Sequence, residues 1–199
     1  MQHGHFKKFV SYYKWHLIFL LLIIVCLVFI VQSCSTSTEP DLVIGYIASP
    51  YLKIEDFDNN KGQQIEILLH DANEDGEKNV ELNYYTVDKE DEINVMFVDM
   101  INSKSYHIYI LPKHAFEAYK DKSAFSNIEV AGVNVDSLKD EDGRIYAYSI
   151  EGNSYAEKLG FINNANLYIA AANFGDAELS AQEKNGINIT REIIKQRKN

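Results

Sequence analysis

Asp71, Asn73, Asp75 and Gly76 spell D-x-N-x-D-G. Side-chain oxygens at alternate positions converge when a glycine permits a sharp turn, which is how the first half of a calcium loop works. Asn79 stands at the ninth position of such a loop, but the twelfth, which needs a bidentate carboxylate, is Leu82, with Glu81 one place early. The segment that follows has strand character. The pattern therefore reads first as an Asx and glycine turn between two elements, with calcium as the alternative. Asp56, Asp58 and Asn60 repeat the alternation, but Gly62 is misplaced for a loop, so they read as a solvated turn capping the next helix. His70, His107 and His114 lack the spacing of a zinc site, although His107 within a strand and His114 at the start of a short helix could approach each other. The chain has no glycine-rich phosphate loop and no G-x-S-x-G elbow. Its acidic residues are too numerous for one pair to stand out as an acid–base couple. The expectation is a protein that is not an enzyme and needs no cofactor.

Both cysteines, Cys26 and Cys34, lie in or beside an apolar run, Leu17 to Val31. The remaining chain has none, which excludes a disulfide scaffold, a cysteine-ligated zinc module and a thiol enzyme. The run contains fifteen residues, or roughly 22 Å as a helix; extending it over 15–33 gives roughly 28 Å, close to the ~30 Å of a bilayer core. Lys7, Lys8 and Lys14 precede it without any acidic residue. The whole chain carries −10, so residues 35–199 carry −13. The positive-inside rule puts residues 1–14 in the cytoplasm, with 15–33 as a transmembrane anchor, 34–41 as a tether and 42–199 as an extracytoplasmic domain. Trp15, Tyr12 and Tyr13 suit the membrane interface. A competing reading makes 15–33 part of a lipoprotein signal. Val31-Gln32-Ser33-Cys34 resembles a lipobox, in which case Cys34 carries the lipid and 1–33 are removed. A domain this acidic repels phosphate backbones, which argues against nucleic acid as a partner.

The elements that would position these residues follow from periodicity. Leu42 to Ala48, Val80 to Val87, Tyr106 to Leu111, Ile145 to Ile150 and Leu167 to Ala172 read as five strands. Gln64 to Ala72, Glu92 to Lys104, His114 to Tyr119 and Ile187 to Gln196 read as helices. Strands alternating with helices predict a three-layer α/β domain around a mainly parallel five-stranded sheet. Its size, 42–199, suits one core. Tyr46, Tyr51, Tyr84, Tyr85, Tyr109, Tyr146 and Tyr148 are expected in the core or on sheet faces, with a tyrosine-rich binding surface as the alternative.

Two stretches resemble the first lobe of bacterial extracellular solute-binding proteins of the type II periplasmic-binding fold. One is Tyr106-His-Ile-Tyr-Ile-Leu-Pro-Lys-His-Ala-Phe116; the other is Asp142-Gly-Arg-Ile-Tyr-Ala-Tyr-Ser-Ile150, where Ser149 stands in place of the family's usual proline. The likeness spans roughly 42–172. Too few residues follow Ile150 for a second lobe. The chain is thus similar to a single-lobe relative, and also to uncharacterised membrane-anchored proteins of Gram-positive bacteria that begin with Tyr12-Tyr-Lys-Trp-His16. Open α/β sheets bind ligands where the strands end and their order reverses. That edge would hold Ser49, Tyr51, Asp88, Lys113, His114, Glu151 and Asn153. The expected role is a binding module for a small solute or an envelope protein, with a structural or assembly accessory on a membrane complex as the alternative.

Overall fold

The computed structural model describes residues 13–16, 18–28, 39–48, 62–87, 89–159, 161 and 166–196. They belong to two compact units, Met1–Glu39 and Pro40–Asn199. In the first, residues 13–16 and 18–28 are helical, and each large apolar side chain from Ile18 to Val28 is exposed. Among the described residues no helix is long and apolar enough to cross a membrane.

The second unit is an α/β domain with a six-stranded mixed sheet. Its strands are β1 (Leu42–Ala48), β2 (Val80–Thr86), β3 (Ile108–Pro112), β4 (Ser137–Lys139), β5 (Ile145–Ser149) and β6 (Leu167–Ala171). Its helices are α1 (Gly62–Glu66), α2 (Glu90–Ser103), α3 (Lys113–Ala118), α4 (Ser154–Lys158) and α5 (Ala181–Lys195). A 3₁₀ turn covers Lys122–Ala124. The strand order is β2-β1-β3-β6-β5-β4. β1 runs parallel to both β2 and β3. β6 is antiparallel to β3 and β5, and β4 is antiparallel to β5.

The expectation of a mainly parallel five-stranded sheet fails in this second half. Continuous apolar runs such as Leu167–Ala171 mark a strand buried on both faces but carry no direction. Here β6 sits inside the sheet and is antiparallel to both neighbours, so a strand buried on both faces need not be a parallel one. The missed strand β4 is short, and Asp140 to Gly143 turns it back onto β5 as a hairpin, with Gly143 at φ 80°.

Helices cover both faces, as a three-layer arrangement requires. On one face Ile44, Tyr46, Ile108, Ile110 and Ile169 meet Ile65, Ala156, Ile187 and Ile193 from the helical side. On the other, Ile47, Tyr109, Leu111, Tyr168 and Ala170 meet Ile93, Phe97 and Met100 of α2, and Ala115 and Phe116 of α3. Phe97 anchors that second core, with its ring 5.5 Å from Tyr109, 5.4 Å from Phe116 and 6.0 Å from Phe125. Edge-on and stacked pairs of this kind add about 0.5–1.5 kcal/mol each beyond area burial. The register shifts between Leu138 and Lys139, so that Ala147 and Ile145 are paired while Tyr146 has no opposite residue. This bulge sends Tyr146 into one core and Tyr148 into the other, although they are two residues apart. Both are buried, as are Tyr46 and Tyr109.

Two helices depart from their expected limits. The helix expected over Gln64 to Ala72 ends at Glu66, and the chain tightens as Leu68 and Leu69 donate to carbonyls three residues back. Beyond it the Asn185 side chain takes both polar groups of the His70 backbone, accepting from its N–H at 3.1 Å and donating to its carbonyl at 2.8 Å. α5 begins six residues before the expected Ile187, because Ser180 and Glu183 close a capping box. Its first turns hold no apolar stripe, which hid them from a periodicity reading.

α5 also lies unusually close to the sheet. A Cβ on Gly186 would stand 2.6 Å from the carbonyl oxygen of His107. That contact is with backbone, which cannot swing aside. Gly186→Ala is therefore expected to destabilise the domain by about 1–3 kcal/mol, against the ~1 kcal/mol that alanine normally gains over glycine inside a helix. A denaturant midpoint that rises on this substitution would contradict the close packing.

Candidate functional site

At the edge where β3 and β5 end, the expected residues are only partly assembled. Ser49, Tyr51 and Asp88 lie outside the described residues, as does Cys34. Lys113 opens α3, and its ammonium lies 3.6 Å from Asp136 and 3.9 Å from Glu117. It also sits 5.8 Å from the centre of the Tyr168 ring. The Tyr168 hydroxyl donates to Asp136. That hydrogen bond, with Lys113 nearby, holds the Asp136 carboxyl below its usual range. Burial, followed by the same hydrogen bond, drives the Tyr168 hydroxyl upward. Lys113 thus meets two carboxylates and a ring, a self-compensated cluster that leaves it little unspent charge.

The other expected members serve the fold. Asn153 is wholly buried; its side-chain oxygen accepts from the N–H groups of Tyr155 and Ala156, capping α4, and its amide donates to the carbonyl of Ile193. Glu151 is exposed in a turn, where its N–H donates to Ser149 Oγ. His114 is half-buried, and its Nε2 has no hydrogen-bond partner among the described residues. His107 and His114 do not meet. They flank opposite ends of the five-residue strand β3, roughly 17 Å of extended chain.

The Asp71–Gly76 segment forms a turn in which the side chains bind their own backbone. Asp71 accepts from the N–H groups of Asp75 and Gly76, Asn73 from Asp75, and Asp75 from Glu77. The buried carboxylate of Asp41 anchors the segment by accepting from the N–H groups of Ala72, Asn73 and Asn79. Among the described residues no group of three or more histidine, cysteine, aspartate or glutamate side chains is placed to hold a metal. The oxygens that would face calcium are turned instead toward backbone N–H groups, the Asx-turn arrangement.

A roomier cleft lies elsewhere. It encloses about 590 Å³ and runs beside α5. Lys184, Ile187, Asn188 and Arg191 form one helical stripe along it, at the i, i+3, i+4 and i+7 positions that share a helix face. Asn127, Arg144, Asn173, Leu179 and His70 supply other parts of the wall. Arg144 shapes that wall: its Nε donates to Asp140 at 2.7 Å, and its two terminal nitrogens donate to the carbonyls of Phe125 at 2.9 Å and Lys122 at 2.7 Å. Asp140 is held below the usual carboxylate range by this hydrogen bond. Arg191 donates from Nη2 to the Asn127 carbonyl at 3.1 Å, while its buried Nε has no acceptor among the described residues.

Sequence reasoning missed this cleft. Its walls come from residues 70, 126–127, 144, 173–191, and no short motif links them. The only local signal was the Lys184–Asn188–Arg191 spacing, which is legible once the capping box sets the start of α5. No protein-family model matches the chain, and neither a curated protein nor a solved structure matches it.

Proposed function

We propose that the chain is a membrane-tethered, extracytoplasmic binding module without enzymatic activity, and that its ligand occupies the cleft beside α5. One observation carries the site: a 590 Å³ concavity with apolar and polar walls, within the size range of small-molecule pockets. The tether rests on the apolar segment, whose described side chains from Ile18 to Val28 are exposed, and on the lysines that precede it. Lipid attachment at Cys34 is the alternative tether. The likeness to a single lobe of the solute-binding proteins fits a domain that holds a solute without transforming it.

The test is a solute screen on the full ¹⁵N-labelled chain in non-ionic detergent. Amino acids, sugars, short peptides, organic acids and calcium serve as probes. The expected result is a saturable set of amide shifts centred on Asn127, Lys184 and Asn188. Shifts centred on Lys113, Asp136 and Tyr168 would move the site to the strand ends and sink the cleft reading. The absence of any saturable shift across the panel would count against a small-solute module altogether.

A second reading has its own observation. α2 exposes Val95 and Val98, at 64% and 40%, and Ile67 beyond α1 is 78% exposed. Val95 and Met96 line a shallow hollow with Thr86 and Val87 beside the edge strand β2. Apolar side chains beside a strand at the edge of the described sheet suit docking on a protein partner. Under this reading the domain is an accessory to a membrane or envelope complex.

A further inference from the structure

We infer that the cleft beside α5 takes a small organic anion, one carrying a carboxylate or phosphate group on a partly apolar body. This rests on the cleft reading above and names its ligand class. Residues 35–199 carry −13, yet among the described residues the cleft is lined by Arg144, Lys184 and Arg191 and by no aspartate or glutamate. A random patch of this acidic domain would show the opposite balance.

The three cations are not equivalent. Arg144 is committed to Asp140 and to two backbone carbonyls. Lys184 is exposed, and among the described residues neither it nor Arg191 has an ion-pair partner. Seven residues separate them along α5, roughly 10 Å at the helical rise. Asn188 lies between them, with a side chain able to donate and accept. Ile187 and Leu179 give the cleft an apolar stretch. Two uncompensated cations over one apolar floor fit an anionic head and a short hydrocarbon body. A guanidinium pairs best with two oxygens of one acceptor, which carboxylates and phosphates both present. Neutral solutes would leave both charges unanswered. The acidic remainder of the domain would repel the same anion everywhere else, which confines binding to this cleft.

The probes are inorganic phosphate, glutarate and glucose, titrated into the full ¹⁵N-labelled chain in non-ionic detergent. Phosphate or glutarate is expected to give saturable shifts at Asn127, Lys184 and Asn188, and the response should weaken as sodium chloride is added. Which of the two binds more tightly distinguishes a phosphate ligand from a carboxylate ligand. Lys184→Glu, an exposed substitution that leaves the fold intact, should weaken binding roughly tenfold. Lys158→Glu makes the same charge change on α4, outside the cleft, and should leave the affinity unchanged. Equal effects from the two variants overturn the inference, because the anion would then be reading net charge alone. Saturable cleft shifts with glucose and none with either anion also overturn it, while leaving the cleft as the binding site. No cleft shifts with any of the three overturn it as well, and the wider screen then decides whether the cleft binds anything.

Discussion

Replacing Asp41 by alanine is expected to cost about 3–5 kcal/mol of folding stability, a large share of the roughly 5–15 kcal/mol that holds a native domain. The carboxylate is fully buried and, among the described residues, makes no ion pair. It accepts from three backbone N–H groups, those of Ala72, Asn73 and Asn79. Alanine leaves all three without an acceptor, and each orphaned donor costs about 1–3 kcal/mol. The same residue's carbonyl accepts from Asn185 on α5, and its N–H donates to the Asn79 carbonyl. One residue thus joins the start of β1, the turn before β2 and the last helix. Asp41→Asn retains one acceptor oxygen and should lose about half as much. Guanidinium unfolding followed by circular dichroism measures the difference, and amide exchange at Asn79 should accelerate in both variants. A loss under about 1 kcal/mol for the alanine variant would show that the turn finds other acceptors.

The second large effect concerns acid. His107 is buried, its Nδ1 accepts from the Val43 N–H at 3.0 Å, and its ring lies 5.6 Å from that of Phe174. Burial lowers its pKa from 6.5 to about 4, with the Glu183 carboxylate opposing part of the fall. The folded state therefore holds a neutral imidazole at pH values where the unfolded chain is already protonated. Above pH 6.5 the group is neutral in both states and has no effect on the pH dependence. Between 6.5 and about 4 the unfolded chain binds a proton that the folded chain refuses, so stability falls with pH by on the order of 3 kcal/mol. Below about 4 both states are protonated and this loss stops. His107→Asn keeps an acceptor near Val43 but removes the titration. Its absolute stability should be lower, yet its stability should depend less on pH between 6.5 and 4 than that of the parent. Parallel slopes for the two chains across that window would exclude His107 as the cause.

Much of the framework was legible in the sequence, for local physical reasons. Leu42–Ala48 had to be a strand buried on both faces, because seven mostly apolar residues without helical spacing have no solvated side. The Ile93, Met96, Phe97, Met100 stripe required an amphipathic helix, and α2 is that helix. The turn at Asp71–Gly76 was legible from Asx and glycine chemistry, which acts within a few residues. The charge contrast between the first 34 residues and the remainder was a matter of counting.

Tertiary structure decided what depends on residues far apart in the chain. The direction of β6 depends on which neighbours it meets, and its own apolar run is the same for either direction. The bulge opposite Leu138 and Lys139 split Tyr146 from Tyr148, which strict alternation would have kept on one face. Asn153 was expected at a ligand, but its amide was needed at the carbonyl of Ile193, forty residues away. Lys113 was likewise expected at a ligand, and Asp136 and Tyr168 met it first. The cleft beside α5 was the least legible feature, because residues 70, 127, 144, 184 and 191 share a wall only after the sheet and the last helix have packed. Hydrophobic periodicity and turn chemistry report on neighbours in sequence; a cleft whose walls come from four separate stretches of chain is legible in neither.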